Sequence, residues 1–148
     1  MNINIRIAKK SDLEMINEIY RSIDFKESVF ENEKIIISEI DNIVVGIGRL
    51  QKINSNSLEL GGIYVKEDCR GKGIADQIVL KLLTLSSDYE YVYCIPFQHL
   101  EKFYKSFDFE EVNKNEIVPQ KVINKYTWCN EFYTKKALLL VKKHKFLD

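Results

Sequence analysis

Proline is nearly absent, with two in 148 residues, too few for the Pro-rich linkers that separate domains. There is no low-complexity segment and no internal repeat. The chain therefore reads as one domain over residues 1–148, long enough for a single substantial core. Charge of one sign is not in excess: 22 Lys and Arg balance 22 Asp and Glu. That balance disfavours a nucleic-acid partner, which calls for a basic surplus. The short basic tail of Lys142, Lys143, His144 and Lys145 reads as a solvated end. No apolar run approaches the length of a membrane span, and no signal peptide opens the sequence. The three cysteines, Cys69, Cys94 and Cys129, cannot all pair within one chain. No C-x-x-C occurs, and the two histidines, His99 and His144, lie far apart, so a zinc site is not expected. Together these absences predict a reduced, cytoplasmic protein without metal, membrane or nucleic acid.

What is present is regular. "NINIRIA" alternates apolar and polar residues and predicts a strand from about Ile3 to Ala8. "SDLE" follows, with Ser11 and Glu14 spaced as a capping box. Leu13, Ile16, Ile19 or Tyr20, and Ile23 then recur at helical spacing, so the helix ends near Ile23 or Asp24. Residues 25–33 fit either a loop or one helical turn. "KIIISEI" and "IVVGIGRLQKI" are β-branched runs around the tight-turn pair Asp41-Asn42. "NSNS" makes a second turn and "LELGGIYV" a third strand, completing an antiparallel meander. After "CRGKG" the period becomes helical, with Ile74, Ile78 and Leu82 on one row and Ala75, Val79 and Leu83 beside it. "YEYVYCI" is the next strand, and a strand–helix–strand unit returns parallel to its start. "HLEKFYKSF" predicts a short helix, and "FEEV" and "KKALLLV" predict the last strands, with Pro119 between them placed to open a helical turn. The fold class is α/β (α+β), with a mixed sheet that is antiparallel first and parallel across the helix after Gly73.

The stretch "CRGKGIA" puts two glycines between a strand and a helix, where glycine is costly in backbone entropy. The first amides of a helix lack partners within it, and its dipole favours an anion at that end. Gly71 and Gly73 leave the backbone bare there, as a phosphate cradle requires; close packing is the competing explanation. The dinucleotide fingerprint does not fit, because Asp76 stands where it needs a third glycine. The P-loop pattern does not occur.

"LGGIYVKEDCRGKGIADQIVLKLL" resembles the central motif of the GNAT superfamily of acyl-CoA-dependent N-acyltransferases. In that motif, Q/R-x-x-G-x-G/A, the defined positions are Arg70, Gly73 and Ala75, preceded by the I-x-V of Ile63-Tyr64-Val65. "FYKSFDF" resembles the later Y-x-x-x-G-F element through Tyr104 and Phe109, with Asp108 at the usual glycine. Phe97 stands where many members carry an asparagine that contacts coenzyme A. The resemblance extends over about residues 3 to 141 and is most specific from Leu58 to Leu83. It implies a mixed sheet of about six to seven strands, splayed at its parallel pair and flanked by about four helices. It also implies acetyl-CoA as co-substrate. The backbone at Ile63, Tyr64 and Val65 would pair with pantetheine, and the amides of Arg70, Gly71, Lys72, Gly73, Ile74, Ala75 and Asp76 would hold the pyrophosphate. Gly61 and Gly62 lie where the family commonly bulges its fourth strand. For Ile63, Val65 and Ile74 the alternative is core packing, which backbone contact does not exclude.

Acyl transfer to an amine needs a neutral nucleophile and a protonated leaving thiolate, whereas alkyl amines ionise near ~10. The resemblance assigns Tyr104 as the acid; packing on an amphipathic helix is the alternative. Glu59 is the candidate base, with an ordered water as the other option. Strand parity puts it on the face of Gly61, Ile63 and Val65, and members resembling N-acetylglutamate synthase carry a glutamate there. A solvated strand glutamate is its alternative. His99 is a weaker base candidate. Arg21 and Arg49 are candidates for an acceptor carboxylate, and Tyr126 and Trp128 either line the acceptor site or cap the core. The expected activity is transfer of acetyl from acetyl-CoA to a primary amine of a small molecule, an amino acid among the options, by direct attack. Acetylation of protein N-termini or lysines and a non-catalytic CoA-binding module are the alternatives. Acceptor identity, acyl preference and the choice between monomer and homodimer stay open.

Overall fold

The computed structural model describes residues 2–144; Lys145 of the basic tail lies outside them. Seven strands form one mixed sheet in the order β1-β2-β3-β4-β5-β7-β6. They are β1 Ile3–Ile7, β2 Glu33–Ile40, β3 Ile43–Asn54, β4 Ser57–Val65, β5 Tyr91–Cys94, β6 Glu110–Glu111 and β7 Leu140–Lys143. Four α-helices accompany them: α1 Leu13–Ser22, α2 Ile74–Leu85, α3 Glu101–Lys105 and α4 Gln120–Phe132. The β1–β2 and β2–β3 pairs are antiparallel, β4–β5 is parallel, and β7 runs antiparallel to both β5 and β6. The mixed sheet expected from the sequence is therefore present. Among the described residues, no helix is long and apolar enough to cross a membrane. The chain clusters into two compact units. One runs up to Gln51 and adds Gly62–Leu85; the other takes Lys52–Gly61 and the chain from Ser86 onward.

In the first unit, Ile35, Ile36 and Ile37 of β2 are all buried, so the strand is covered on both faces. Ile16 and Tyr20 of α1 pack with Ala8, Ile35, Ile37 and Ile47. The other face takes α2 through Ile74, Ile78, Val79 and Leu82. Two glycines of β3 set how close α2 lies. A Cβ at Gly46 would come within 2.9 Å of Ile78 Cδ1, and one at Gly48 within 2.6 Å of both Ile78 Cγ2 and Ile63 Cδ1. Asp41 and Asn42 both have positive φ, 52° and 65°, as a two-residue hairpin turn demands.

The start of α1 corrects the sequence reading: Ser11 and Glu14 do not form the capping box. Residues 10–12 instead make one 3₁₀ turn, in which the Asp12 carboxylate accepts the Lys9 amide at 2.7 Å. Arg6 fixes that carboxylate with two hydrogen bonds of 2.8 and 3.1 Å. A bidentate charged pair outweighs a neutral hydroxyl cap. Residues 25–32 are irregular rather than helical, and Glu33 opens β2. They are tied to α1 by Asn17, whose side chain donates to Ser28 O and accepts from Ser28 N.

In the second unit, Ser57–Leu60 of β4 pair with Tyr91–Cys94 of β5, and the ladder ends at Leu60 opposite Cys94. Asn56 O accepts both the Glu90 and Tyr91 amides at 3.1 Å, which starts the parallel register. Tyr93, Val122 and Val141 form the core here. The sequence predicted one helical turn after Pro119, but the structure has the 13-residue α4, with Pro119 at its N-cap. Its amphipathy is weak: only Val122 and Cys129 are fully buried, and Trp128 and Phe132 stack on each other at 4.6 Å while largely exposed.

Candidate active site

β4 leads through a single 3₁₀ turn, Glu67–Cys69, into the glycine loop and α2. Lys66 N donates to Val45 O at 2.7 Å, and Arg70 Nε donates to Val65 O at 3.1 Å, fixing the loop's entry. Gly71 and Gly73 both have φ of +79°. A Cβ at Gly71 would meet no atom within 4 Å, and one at Gly73 only Asp76 Oδ2 at 4.0 Å. Arg70, Gly71, Lys72 and Asp76 are exposed, and Gly73 and Ala75 half-buried. Ile74 is 1% exposed and its side chain lies beside Gly46. Only its backbone is therefore available to a ligand. Ile63 likewise turns its Cδ1 toward the Gly48 position, and Tyr64 packs against the α1 cluster. Both side chains thus serve the core.

Gly62 has φ of +60°, so β4 kinks where the sequence reading placed a bulge. A Cβ there would sit 2.5 Å from the Tyr20 hydroxyl oxygen and 2.9 Å from Arg49 Nε, and Tyr20 donates to Gly62 O at 2.8 Å. The kink also limits how far strand parity reaches. Strict alternation holds only for extended residues, so Glu59 shares a face with Gly61, whose Cβ position lies 3.5 Å from Glu59 Oε2, and parity does not extend past Gly62. Arg49 is 3% exposed. Its Nη1 donates to Lys26 O and Ser28 Oγ, and its guanidinium lies 4.3 Å from the Tyr20 ring centre. Arg49 thus ties the 25–32 loop to the sheet, and Arg21 pairs with Glu27.

In the second unit, Glu59 and Tyr104 both lie close to Cys94. Tyr104 is 5% exposed and packs edge-on against Phe109 and Phe103. Burial, with the Cys94 thiol beside it, pushes its hydroxyl well above the usual phenol range, so it stays protonated and can donate. The Cys94 thiol is also raised, first by burial and then by the Glu59 carboxylate, and the Tyr104 hydroxyl partly offsets this. Such a thiol is inert as a nucleophile. Glu59 is buried, and its Oε2 accepts from Lys125 Nζ at 2.6 Å. Cys129, one turn after Lys125 on α4, is raised by burial and is also within reach of both charges.

Lys125 was not legible in the sequence. Its only signal is a spacing of four from Cys129, which carries meaning once α4 is known to be a full helix. His99 is exposed and stacks on Phe97, and Tyr126 is half-buried. Among the described residues, no group of three or more His, Cys, Asp or Glu is placed to hold a metal.

Residues 31–111 match the family model described as an acetyltransferase (GNAT) domain. The chain belongs to the GNAT acetyltransferases. No curated protein matches it in sequence; solved structures do. N-acetylglutamate synthase of Neisseria gonorrhoeae, complexed with coenzyme A and N-acetyl-glutamate, superposes with a TM-score of 0.74 at 12% identity over 99% of this chain. This chain spans 36% of that protein. Rv2747 of Mycobacterium tuberculosis, solved in complex with CoA, gives 0.76 at 17% identity over 96% of this chain and 99% of its own. An N-acetyltransferase of Staphylococcus aureus gives 0.69 at 21% identity, covering 98% of this chain and 100% of its own. At these identities the likeness is one of fold.

Within the GNAT pattern, Asp108 at the glycine position has φ of +69°. It adopts the left-handed backbone that favours glycine, so this departure keeps the turn. Phe97 sets its ring edge-on to Tyr133 at 5.3 Å and bridges to Ala137, which makes it part of the local packing.

Proposed function

We propose that residues 1–148 form a single-domain, acyl-CoA-dependent N-acetyltransferase that uses acetyl-CoA and the primary amine of a small acceptor. The observation that carries this reading is the placement of glycine. Among the described residues, five others with positive φ are Asp or Asn: Asp24, Asn32, Asp41, Asn42 and Asp108. The chain thus reaches left-handed backbone without glycine wherever local polar side chains suffice. At Gly62, protein atoms exclude a Cβ; at Gly71 none lies within 4 Å, and at Gly73 the nearest is 4.0 Å away. Bare backbone at the start of α2 is therefore explained by something outside the chain, and an anion suits that helix end. The cradle suits the pyrophosphate of coenzyme A, held by the amides from Gly71 to Asp76, since the Arg70 amide donates to Glu67 O; Ile63, Tyr64 and Val65 offer backbone to pantetheine.

Bound acetyl-CoA supplies an activated acyl thioester. Tyr104, kept protonated by burial, donates to the departing sulfur. Glu59 accepts the proton of the amine; in the resting chain its carboxylate is paired with Lys125. The N-acetyl-glutamate complexed with the Neisseria enzyme supports an amino acid as the acceptor class. The free cysteines Cys69, Cys94 and Cys129 suit a reducing, cytoplasmic setting. Thiol release from acetyl-CoA across a panel of amines, amino acids and peptides tests the reading. Tyr104→Phe should lower kcat at least tenfold with CoA affinity nearly intact. Unchanged turnover would remove Tyr104 from its role. Thermal stabilisation by CoA without turnover on any acceptor would leave only a binding module.

A further inference from the structure

One primary amine of the chain stands where the proposed base needs an acceptor. Lys125 Nζ lies 2.6 Å from Glu59 Oε2; the glutamate side chain is 6% exposed and the lysine side chain 35%. The other lysine pairs among the described residues use carboxylates open to water: Glu101 with Lys105 at 29%, Glu116 with Lys143 at 24% and Asp108 with Lys142 at 91%. Of these, the Glu59 pair alone combines a buried carboxylate with an amine that solvent reaches. The same neighbourhood holds the proposed acid: Cys94 stands opposite Leu60, the neighbour of Glu59 in β4, and both Glu59 and Tyr104 act on its thiol.

We propose that Lys125 is itself an acyl acceptor, so that the protein acetylates its own Lys125 Nζ. The inference rests on the reading of Glu59 as base and of an acyl thioester as donor. At 2.6 Å the ammonium and the carboxylate are within direct proton-transfer distance. In the step, one ammonium proton passes from Nζ to Glu59. The Nζ lone pair forms a C–N bond to the thioester carbonyl carbon, the C–S bond breaks, and the departing sulfur takes the Tyr104 proton. Glu59 returns a proton to Tyr104 through solvent, and Nζ loses its second proton to water. The sum is ammonium plus thioester giving amide, thiol and one released proton. The amide is uncharged, so the modification removes the cation that occupies Glu59 and frees that carboxylate for an external amine. Modification is thus a priming step.

The test incubates the purified full chain with acetyl-CoA and maps acetylated peptides by mass spectrometry. One acetyl group should appear on the peptide carrying Lys125 at least tenfold faster than on the exposed Lys121. The rate should be unchanged when the protein is diluted tenfold. Glu59→Gln and Tyr104→Phe should each slow it at least tenfold. The modified protein, freed of acetyl-CoA, should melt at a lower temperature than the unmodified one, as should Lys125→Gln, because Glu59 has lost its partner. Acetylation of Lys125 no faster than of Lys121, or a rate indifferent to Glu59→Gln, overturns the proposal. If thiol is released with an external amine while Lys125 stays unmodified, self-acetylation alone is overturned. If acetyl-CoA causes neither a thermal shift nor thiol release, the parent reading falls with it.

Discussion

Replacing Gly62, Gly71 and Gly73 by alanine, one at a time, separates what the fold requires from what a ligand requires. The three share positive φ, between +60° and +79°. An L-residue held in that region costs about 1–2 kcal/mol, offset by roughly 0.5 kcal/mol because alanine has fewer unfolded conformations. At Gly71 nothing more is added, since a Cβ meets no atom within 4 Å; at Gly73 the nearest is 4.0 Å away. At Gly62 the Cβ would lie 2.5 Å from the Tyr20 hydroxyl oxygen and 2.9 Å from Arg49 Nε. Both partners are buried. Overpacking of that kind costs about 1–3 kcal/mol, and losing the Tyr20 bond to Gly62 O about 1 kcal/mol more. The expected losses are therefore roughly 1 kcal/mol at 71 and 73, and roughly 3–5 kcal/mol at 62.

Urea unfolding followed by circular dichroism measures the fold term, and calorimetric titration with coenzyme A measures the ligand term. At a slope of about 2 kcal/mol per molar urea, Gly71→Ala should move the midpoint by about 0.5 M and Gly62→Ala by about 2 M. CoA affinity should fall at least tenfold in Gly71→Ala and Gly73→Ala, about 1.4 kcal/mol or more, although both stay folded. Wild-type affinity in both loop variants would refute the cradle. A stability loss at 71 equal to that at 62 would show that protein, not ligand, fills the space beside the loop.

Two further perturbations probe the fold itself. Asp108→Gly should raise stability by about 0.5 kcal/mol, because glycine relieves the left-handed strain at φ +69° and gives part of it back as chain entropy. A lower melting temperature would mean that the 3.7 Å approach of Asp108 to Lys142 outweighs that relief. Asp12→Asn should cost about 1–2 kcal/mol at pH 7 and less near pH 2, because Arg6 holds the Asp12 carboxyl below its usual range. A depressed folded value means that the unfolded chain binds more protons. The contribution is therefore complete above the ordinary carboxylate value of about 4 and is lost as pH falls through the folded one. Urea midpoints at both pH values check the sign, and an equal gap at each would contradict it.

Where the fold was legible, one-dimensional periodicity coincided with burial. Ile74, Ile78 and Leu82 repeat every fourth residue and are buried under α2. Asp41-Asn42 announced its hairpin because few residues tolerate positive φ at both turn positions. Helix α4 was not legible beyond its first turn, since a helix that buries only Val122 and Cys129 leaves almost no apolar stripe. The start of α1 was misread for a different reason. A capping box is a local pattern, while the cap that formed depends on Arg6, a residue of β1 six positions before Asp12.

The site divides along the same line. Gly71 and Gly73 were visible because backbone chemistry is written locally: a helix end and a residue type are enough to suggest an anion. The pairing of Glu59 with Lys125 spans 66 residues and joins a strand to a helix that the sequence barely disclosed. No local pattern encodes such a contact. It changes what Glu59 can do, because a carboxylate held 2.6 Å from an ammonium is already occupied. Such a carboxylate serves an external amine only after its cation leaves or is neutralised. Turnover should therefore show a lag that preincubation with acetyl-CoA abolishes and that Lys125→Gln lacks; linear progress from the first seconds in the wild-type protein would rule the occupied base out.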